Sequence, residues 1–186
     1  MGDKRETDEL LGYIKSRMRS NPDESELYWN EMSGSTTGEK IFNTKHANRS
    51  VGCIIDDRCG SLRCVFSIGF RGKRYVLFRS RVKWAIHNGR WPKDQIDHIS
   101  CDATDDRLCN LREATNEDNS ANKGIYSTNS SGAKGVRFNN KTGKWTARIV
   151  KSYKEKHLGS FDTMREAMDA YDRATHSMNG EFARVS

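Results

Sequence analysis

Leu10, Leu11, Ile14 and Met18 recur at helical spacing behind the acidic turn Asp8-Glu9, which predicts a short packing helix ending near Asn21-Pro22. Gly34-Ser35-Thr36-Thr37-Gly38 then reads as a turn or flexible loop. From Val51 to Phe78 the period changes to two: Ile54 and Ile55, then Leu62, Cys64, Phe66, Ile68 and Phe70, then Tyr75 and Leu77 beyond the turn Arg71-Gly72-Lys73. That pattern predicts an antiparallel hairpin with one apolar face and with Arg63, Arg71, Lys73 and Arg74 on the other face or at the turn. Val82, Trp84, Ala85 and Ile86 predict a short helix closed by Asn88-Gly89, with Pro92 as a stop signal. Gln95 to Ile99 reads as a short strand, Ser100 to Asp106 as a polar loop, and Asn116 to Lys123 as a short helix with Thr115 as N-cap.

Ser127 to Gly132 is polar and free of large apolar groups, so the chain divides there into a unit of residues 1–126, a linker of 127–132 and a unit of 133–186. The second unit opens with three strand-like segments, Lys134 to Phe138, Lys144 to Lys151 and Glu155 to Phe161. A helix capped by Thr163 and Glu166 follows, and its stripe of Ala167, Met168, Ala170, Tyr171, Ala174 and Met178 predicts core packing. The expected fold class is α+β.

Composition narrows the partners. The formal net charge of +7 is the footprint of a protein that binds polyanions, although residues 1–34 are acidic on balance. There is no long apolar run, signal-peptide core or basic amphipathic helix, so a membrane partner is not expected and a cytoplasmic location is. Five cysteines without a CxxC pair favour reduced packing thiols over disulfides or a structural zinc site.

One short span carries candidate chemistry. Phosphodiester hydrolysis needs a base for water, a cation at the phosphate and ligands that hold the cation. His98 is a base suited to neutral pH, Asp97 supplies a carboxylate oxygen and Asn119 a carboxamide oxygen, a donor set that suits Mg²⁺. Neighbours on a regular strand face opposite ways, so Asp97 and His98 converge only if the strand twists or ends there.

The run Ile96-Asp97-His98-Ile99, Asp105-Asp106-Arg107-Leu108, Asn110-Leu111-Arg112, Glu113-Ala114-Thr115 and Asn119-Ser120-Ala121-Asn122 resembles the HNH endonucleases, especially the homing enzymes of phages and mobile introns. The likeness extends through Tyr75 to Pro92 and, more weakly, Glu26 to Trp29. It implies a ββα-metal (His-Me finger) domain preceded by antiparallel hairpins. It also implies catalytic roles for His98 as base and Asn110 as brace, with Asp97 and Asn119 holding one Mg²⁺ or Mn²⁺. The last H of the motif is here Asn, as in a subgroup of the family. Ser100-Cys101 stands where a polar residue and Gly are frequent, and Asp106 where Asn is common. Arg107 or Arg112 would hold phosphate or, more in keeping with the loop, pair with Asp105 or Asp106.

A second likeness covers about residues 131–182. Gly132 to Arg137, Gly143 to Ile149, His157 to Thr163 and Glu166 to Asp172 resemble the Apetala-type DNA-binding domain of plant ethylene-response factors. It implies a three-stranded antiparallel sheet packed on one helix, with Lys134, Arg137, Arg148 and His157 as DNA contacts, His157 replacing a frequent Trp. The residues agree: Lys134 to His157 holds eight Lys and Arg against Glu155 alone. Strand alternation sends Trp145, Ala147 and Ile149 to one face and Lys144, Thr146 and Arg148 to the other. The expectation is a monomeric, metal-dependent endonuclease acting on double-stranded DNA in a phage-infected or bacterial cell. A non-enzymatic DNA-binding regulator on the same scaffold is the alternative.

Overall fold

The structure is a computed structural model and describes residues 7–21, 26–57, 61–125, 129–152 and 154–184. Ser127 and Thr128 of the expected linker, Pro22 and Cys59 lie outside the described residues. The chain divides into two compact units, Met1–Glu113 and Ala114–Ser186, so the division falls inside the HNH-like stretch.

In the first unit, Thr7 caps α1 (Asp8–Arg17) by accepting from Leu10 N, and Leu10, Leu11 and Ile14 are buried as their spacing requires. The helix stops at Arg17, earlier than Asn21-Pro22, because Met18 turns extended and the chain enters β1 (Met18–Ser20). That strand pairs antiparallel with β2 (Leu27–Trp29), Met18 opposite Trp29. The expected loop at Gly34–Gly38 instead starts α2 (Thr37–His46), where Thr36 and Glu39 form a full capping box.

The expected hairpin is a three-stranded antiparallel sheet, β3 (Cys53–Asp57), β4 (Ser61–Phe70) and β5 (Lys73–Phe78), in the order β3-β4-β5. Cys64, Phe66 and Ile68 are buried on its inner face, whereas Ile54, Ile55 and Leu62 at the β3 end are exposed. The core joins Leu10, Ile14, Leu27, Val51, Phe66 and Val82. Helix α3 (Arg79–Asn88) ends at Gly89, whose φ of 72° supplies the left-handed C-cap. Then β6 (Gln95–His98) pairs with β7 (Leu111–Ala114) across a loop closed by a 3-10 turn at Leu108–Asn110.

In the second unit, α4 (Asn116–Asn122) has Thr115 as N-cap and a capping box completed by Asp118. Strands β8 (Val136–Asn139), β9 (Lys144–Lys151) and β10 (Lys154–Phe161) form an antiparallel sheet in the order β10-β9-β8. α5 (Met164–Asn179), boxed by Thr163 and Glu166, packs on it through Ala167 and Tyr171 against Val136, Ala147 and Ile149. Gly135 marks how close that packing is. Its φ is +68°, and a Cβ there would lie 2.2 Å from the Tyr171 ring and 2.5 Å from the Arg148 carbonyl oxygen. Of the expected linker, Asn129–Gly132 is a hydrogen-bonded turn. Asn129 Oδ1 accepts from Ser131 N and Gly132 N, and Ser131 Oγ donates to Val136 O at 2.6 Å.

Candidate active site

β6 brings Asp97 and His98 to its C-terminal end and stops there. Cys101 N donates to His98 O at 2.8 Å in a turn that Cys101 completes at φ 64°, so the strand ends at His98, where Asp97 meets Arg112 and His98 meets Asp106. Asp97 is buried, and His98 is half-buried with 13% of its side chain exposed.

Asn110 is tied to the loop by both ends of its amide. Its Oδ1 accepts from Ser100 N at 2.8 Å and its Nδ2 donates to Asp105 O at 2.7 Å, while its carbonyl accepts from Ile99 N at 2.9 Å. Three bonds from one residue thus fix both sides of the loop between β6 and β7.

The charges fall into separate pairs. Arg112 Nε and Nη2 both lie 2.9 Å from Asp97 Oδ2, so Arg112 serves the candidate ligand rather than the loop acids. Arg107 forks onto Asp105 at 2.8 and 2.7 Å, and that hydrogen bonding holds the Asp105 carboxyl down at about 2. Asp106 is held by neither arginine. Its Oδ2 accepts from Arg79 Nε at 2.7 Å, and its Oδ1 lies 2.9 Å from His98 Nε2. Arg79 reaches on to Glu26 Oε2 at 3.0 Å and to Thr104 O at 3.4 Å. Burial pulls the Arg79 guanidinium toward losing its proton, but the bond and charge of Asp106 outweigh it and raise its pKa above the ordinary value. Around the rim, Glu113 accepts from Arg90 at 2.9 Å and from Lys93 N, and the Arg90 bond holds its carboxyl below the usual range.

Arg79 and Asp106 are the participants that sequence reasoning missed as a pair. One signal was available: Arg79, Val82, Lys83 and Ile86 share the i, i+3, i+4 spacing of the buried face of α3, and Arg79 and Lys83 are indeed buried. A cation on a core stripe calls for an anion across from it, and Asp106 answers Arg79.

Asn119 is half-buried on α4 in the second unit, where its backbone N–H donates to Thr115 O. No cluster of three or more His, Cys, Asp or Glu side chains able to hold a metal occurs among the described residues. The expected ligand pair is of another kind, one carboxylate and one carboxamide. Both are hard oxygen donors, and their chemistry fits a magnesium-like ion that keeps most of its shell for water and phosphate.

The candidate DNA contacts all lie in the second unit. Arg137 opposes Thr146, and Arg148 opposes His157, so these four side chains share the sheet face turned away from α5. Arg137 and His157 are exposed, and Arg148 pairs with Glu155 at 3.0 Å. Lys134 stands apart from that face. Its ammonium donates to Ala121 O at 2.5 Å and Lys123 O at 2.8 Å, the carbonyls that end α4.

No helix among the described residues is long and apolar enough to cross a membrane. Residues 78–121 match the HNH endonuclease family model, a span that includes Asp97, His98, Asn110 and Asn119. The chain is also 32% identical over 102 residues to protein 3.8 of Escherichia phage T7, an alignment spanning 54% of this chain and 84% of that protein. The loop built around His98 and Asn110 therefore sits in an HNH endonuclease domain, and the chain belongs to the family of the phage protein 3.8.

Proposed function

We propose that this protein is a metal-dependent endonuclease that cuts double-stranded DNA, with His98 as the base, Asn110 as the brace of its loop, and Asp97 and Asn119 as ligands of one Mg²⁺ or Mn²⁺. The observation that carries this reading is the HNH match over residues 78–121, with Asp97 and His98 at the end of β6 and Asn110 bonded across the loop that follows. The imidazole takes a proton from water as the water oxygen bonds to phosphorus, and the bond from phosphorus to the leaving sugar oxygen breaks, that oxygen taking a proton from solvent. A bound divalent ion would neutralise charge on the phosphate oxygens. Asp97, fixed by Arg112, presents a carboxylate whose direction does not have to be found anew in each turnover.

The second unit supports a targeting role. Its exposed sheet face carries Arg137, Arg148 and His157 in adjacent registers, where a phosphate backbone meets cations without reacting. We read Lys134 as a clasp on α4, with any DNA contact by it secondary. The joint between cutting and targeting modules is proposed at residues 127–132. One HNH motif makes one cut, so a monomer nicks one strand, and site-directed cutting of the homing kind is the use such a pairing of modules would have. Conversion of supercoiled plasmid to open circle in Mg²⁺, with none in EDTA, tests the reading. Binding without any nicking in either Mg²⁺ or Mn²⁺ would favour a DNA-binding regulator instead.

A further inference from the structure

α4 carries Asn119 and is poorly equipped to hold its own place. It has seven residues, well short of the roughly 12–15 at which an isolated helix becomes stable, and Asn122 is its only buried residue. No apolar stripe packs it down. Between it and the sheet lies a cavity of about 580 Å³, lined by Glu117, Ser120 and Ala121 from the helix and by Ile149 and Tyr171 from β9 and α5.

Polar bonds span that gap at both ends of the helix. Near its start, Glu117 Oε1 accepts from Ser152 N, just beyond β9. At its finish, the Lys134 ammonium donates to Ala121 O and Lys123 O and brings a positive charge to the negative end of the helix. Lys134 reaches out from a fixed base: on one side Ala133 O accepts from Asn129 Nδ2 at 2.9 Å, and on the other Gly135 O accepts from Arg148 N at 2.8 Å. Lys123 N in turn donates to Asn119 O at 3.2 Å, so the clasped carbonyls and Asn119 belong to one turn of backbone. A metal ligand has to be held to within about 0.5 Å of its productive place, and a helix lying over a cavity owes that precision to its end bonds.

We propose that Lys134 is a positioning residue for the metal site: by holding the last turn of α4 it sets where Asn119 presents its carboxamide. The second unit then governs how tightly the protein takes up its divalent ion, apart from any contact with DNA. The inference rests on Asn119 being a ligand of that ion.

The test is Mn²⁺ titration of the full-length protein followed by EPR, read beside duplex affinity in EDTA and a thermal melt. It compares the wild type with Lys134→Met, Lys134→Arg, Asn119→Ala and the double variant Asn119→Ala/Lys134→Met. Methionine keeps an unbranched stem and removes the charge and the donors, whereas arginine restores both. Lys134→Met is expected to weaken Mn²⁺ binding roughly tenfold with duplex affinity nearly unchanged, and Lys134→Arg to recover most of the loss. Once Asn119 is gone, Lys134→Met is expected to add nothing, since it acts through that residue. An equal loss with and without Asn119 overturns the inference. So does a Lys134→Met protein that keeps its Mn²⁺ affinity, and one that loses only duplex affinity makes Lys134 a DNA contact instead. In the wild type the Lys134 ¹⁵Nζ signal is expected to survive the hydrogen exchange that erases those of exposed lysines; its absence overturns the inference even if Lys134→Met fails to fold. Asn119→Ala with Mn²⁺ affinity intact overturns the ligand assignment and the inference with it. Loss in Asn119→Ala but not in Lys134→Met overturns this inference alone.

Discussion

In Met1–Glu113 the charges nearest His98 are largely buried and paired, Arg112 with Asp97 and Arg79 with both Asp106 and Glu26. In Ala114–Ser186 the cations of the sheet stand at the surface, Arg148 with 40% of its side chain exposed and Lys144 with 46%. Buried pairs contribute little net stability but hold their members at fixed positions, and removing one partner is costly. Exposed pairs such as Arg148–Glu155 and Lys144–Asp162 fix their members only weakly, and cations of this kind would act on a polyanion through the field they add. On the proposed reading the first arrangement would suit chemistry at one phosphate and the second attraction along many.

The sharpest way to break this contrast is His98→Ala. Nicking should fall by roughly 10² to 10⁴ while affinity for a duplex, measured by fluorescence anisotropy, stays nearly unchanged. Equal loss of both would make His98 a structural residue. Next in size is Gly135→Ala, which places a methyl group against Tyr171 and Arg148 O and should destabilise the second unit by about 3 kcal/mol or more. A melt of that variant should show duplex affinity lost with the sheet, and unchanged affinity would remove the second unit from DNA binding. Asp97→Ala should shift the curve of nicking rate against Mg²⁺ by roughly tenfold toward higher metal, and a rate indifferent to EDTA would end the metal mechanism. The smallest effect expected is that of Arg137→Ala or Arg148→Ala. Each should remove about 0.9 from the slope of log K against log salt if it meets a phosphate. A loss confined to one duplex sequence would make it a base-reading contact.

Much of this was visible in the chain. The alternation of β9 and the stripe of α5 gave a sheet packed on a helix, and Asn88-Gly89 ended α3 where the chain ends it. What stayed hidden has physical reasons. α2 buries no residue, so it has no apolar period, and what marks its start is the reciprocal bonding of Thr36 and Glu39. β1 and β2 are three residues each, too short to alternate, and depend on pairing between distant segments. Asp97, His98 and Asn110 could be picked out by residue type. That Arg112 faces Asp97, and that His98 faces Asp106, is a matter of which side chains share a layer, which spacing along the chain does not encode. Lys134 belongs by residue type to the basic run of the sheet, but its ammonium reaches the end of α4, a contact that residue type and spacing do not encode.

Arg79 also has a consequence for how the protein is made. It gathers Glu26 and Asp106, which lie 53 and 27 positions away along the chain. Contacts between segments so far apart close long loops, and reliance on such non-local contacts slows folding. On a ribosome adding roughly 5–20 residues per second, α1 has several seconds in which it can coil before Asp106 has even been added. The grip on the imidazole comes only after three separate stretches of backbone have met. Synthesis therefore reaches Asp106 after Glu26 and Arg79 have both been added, and the buried network that joins the three can close only from that point on.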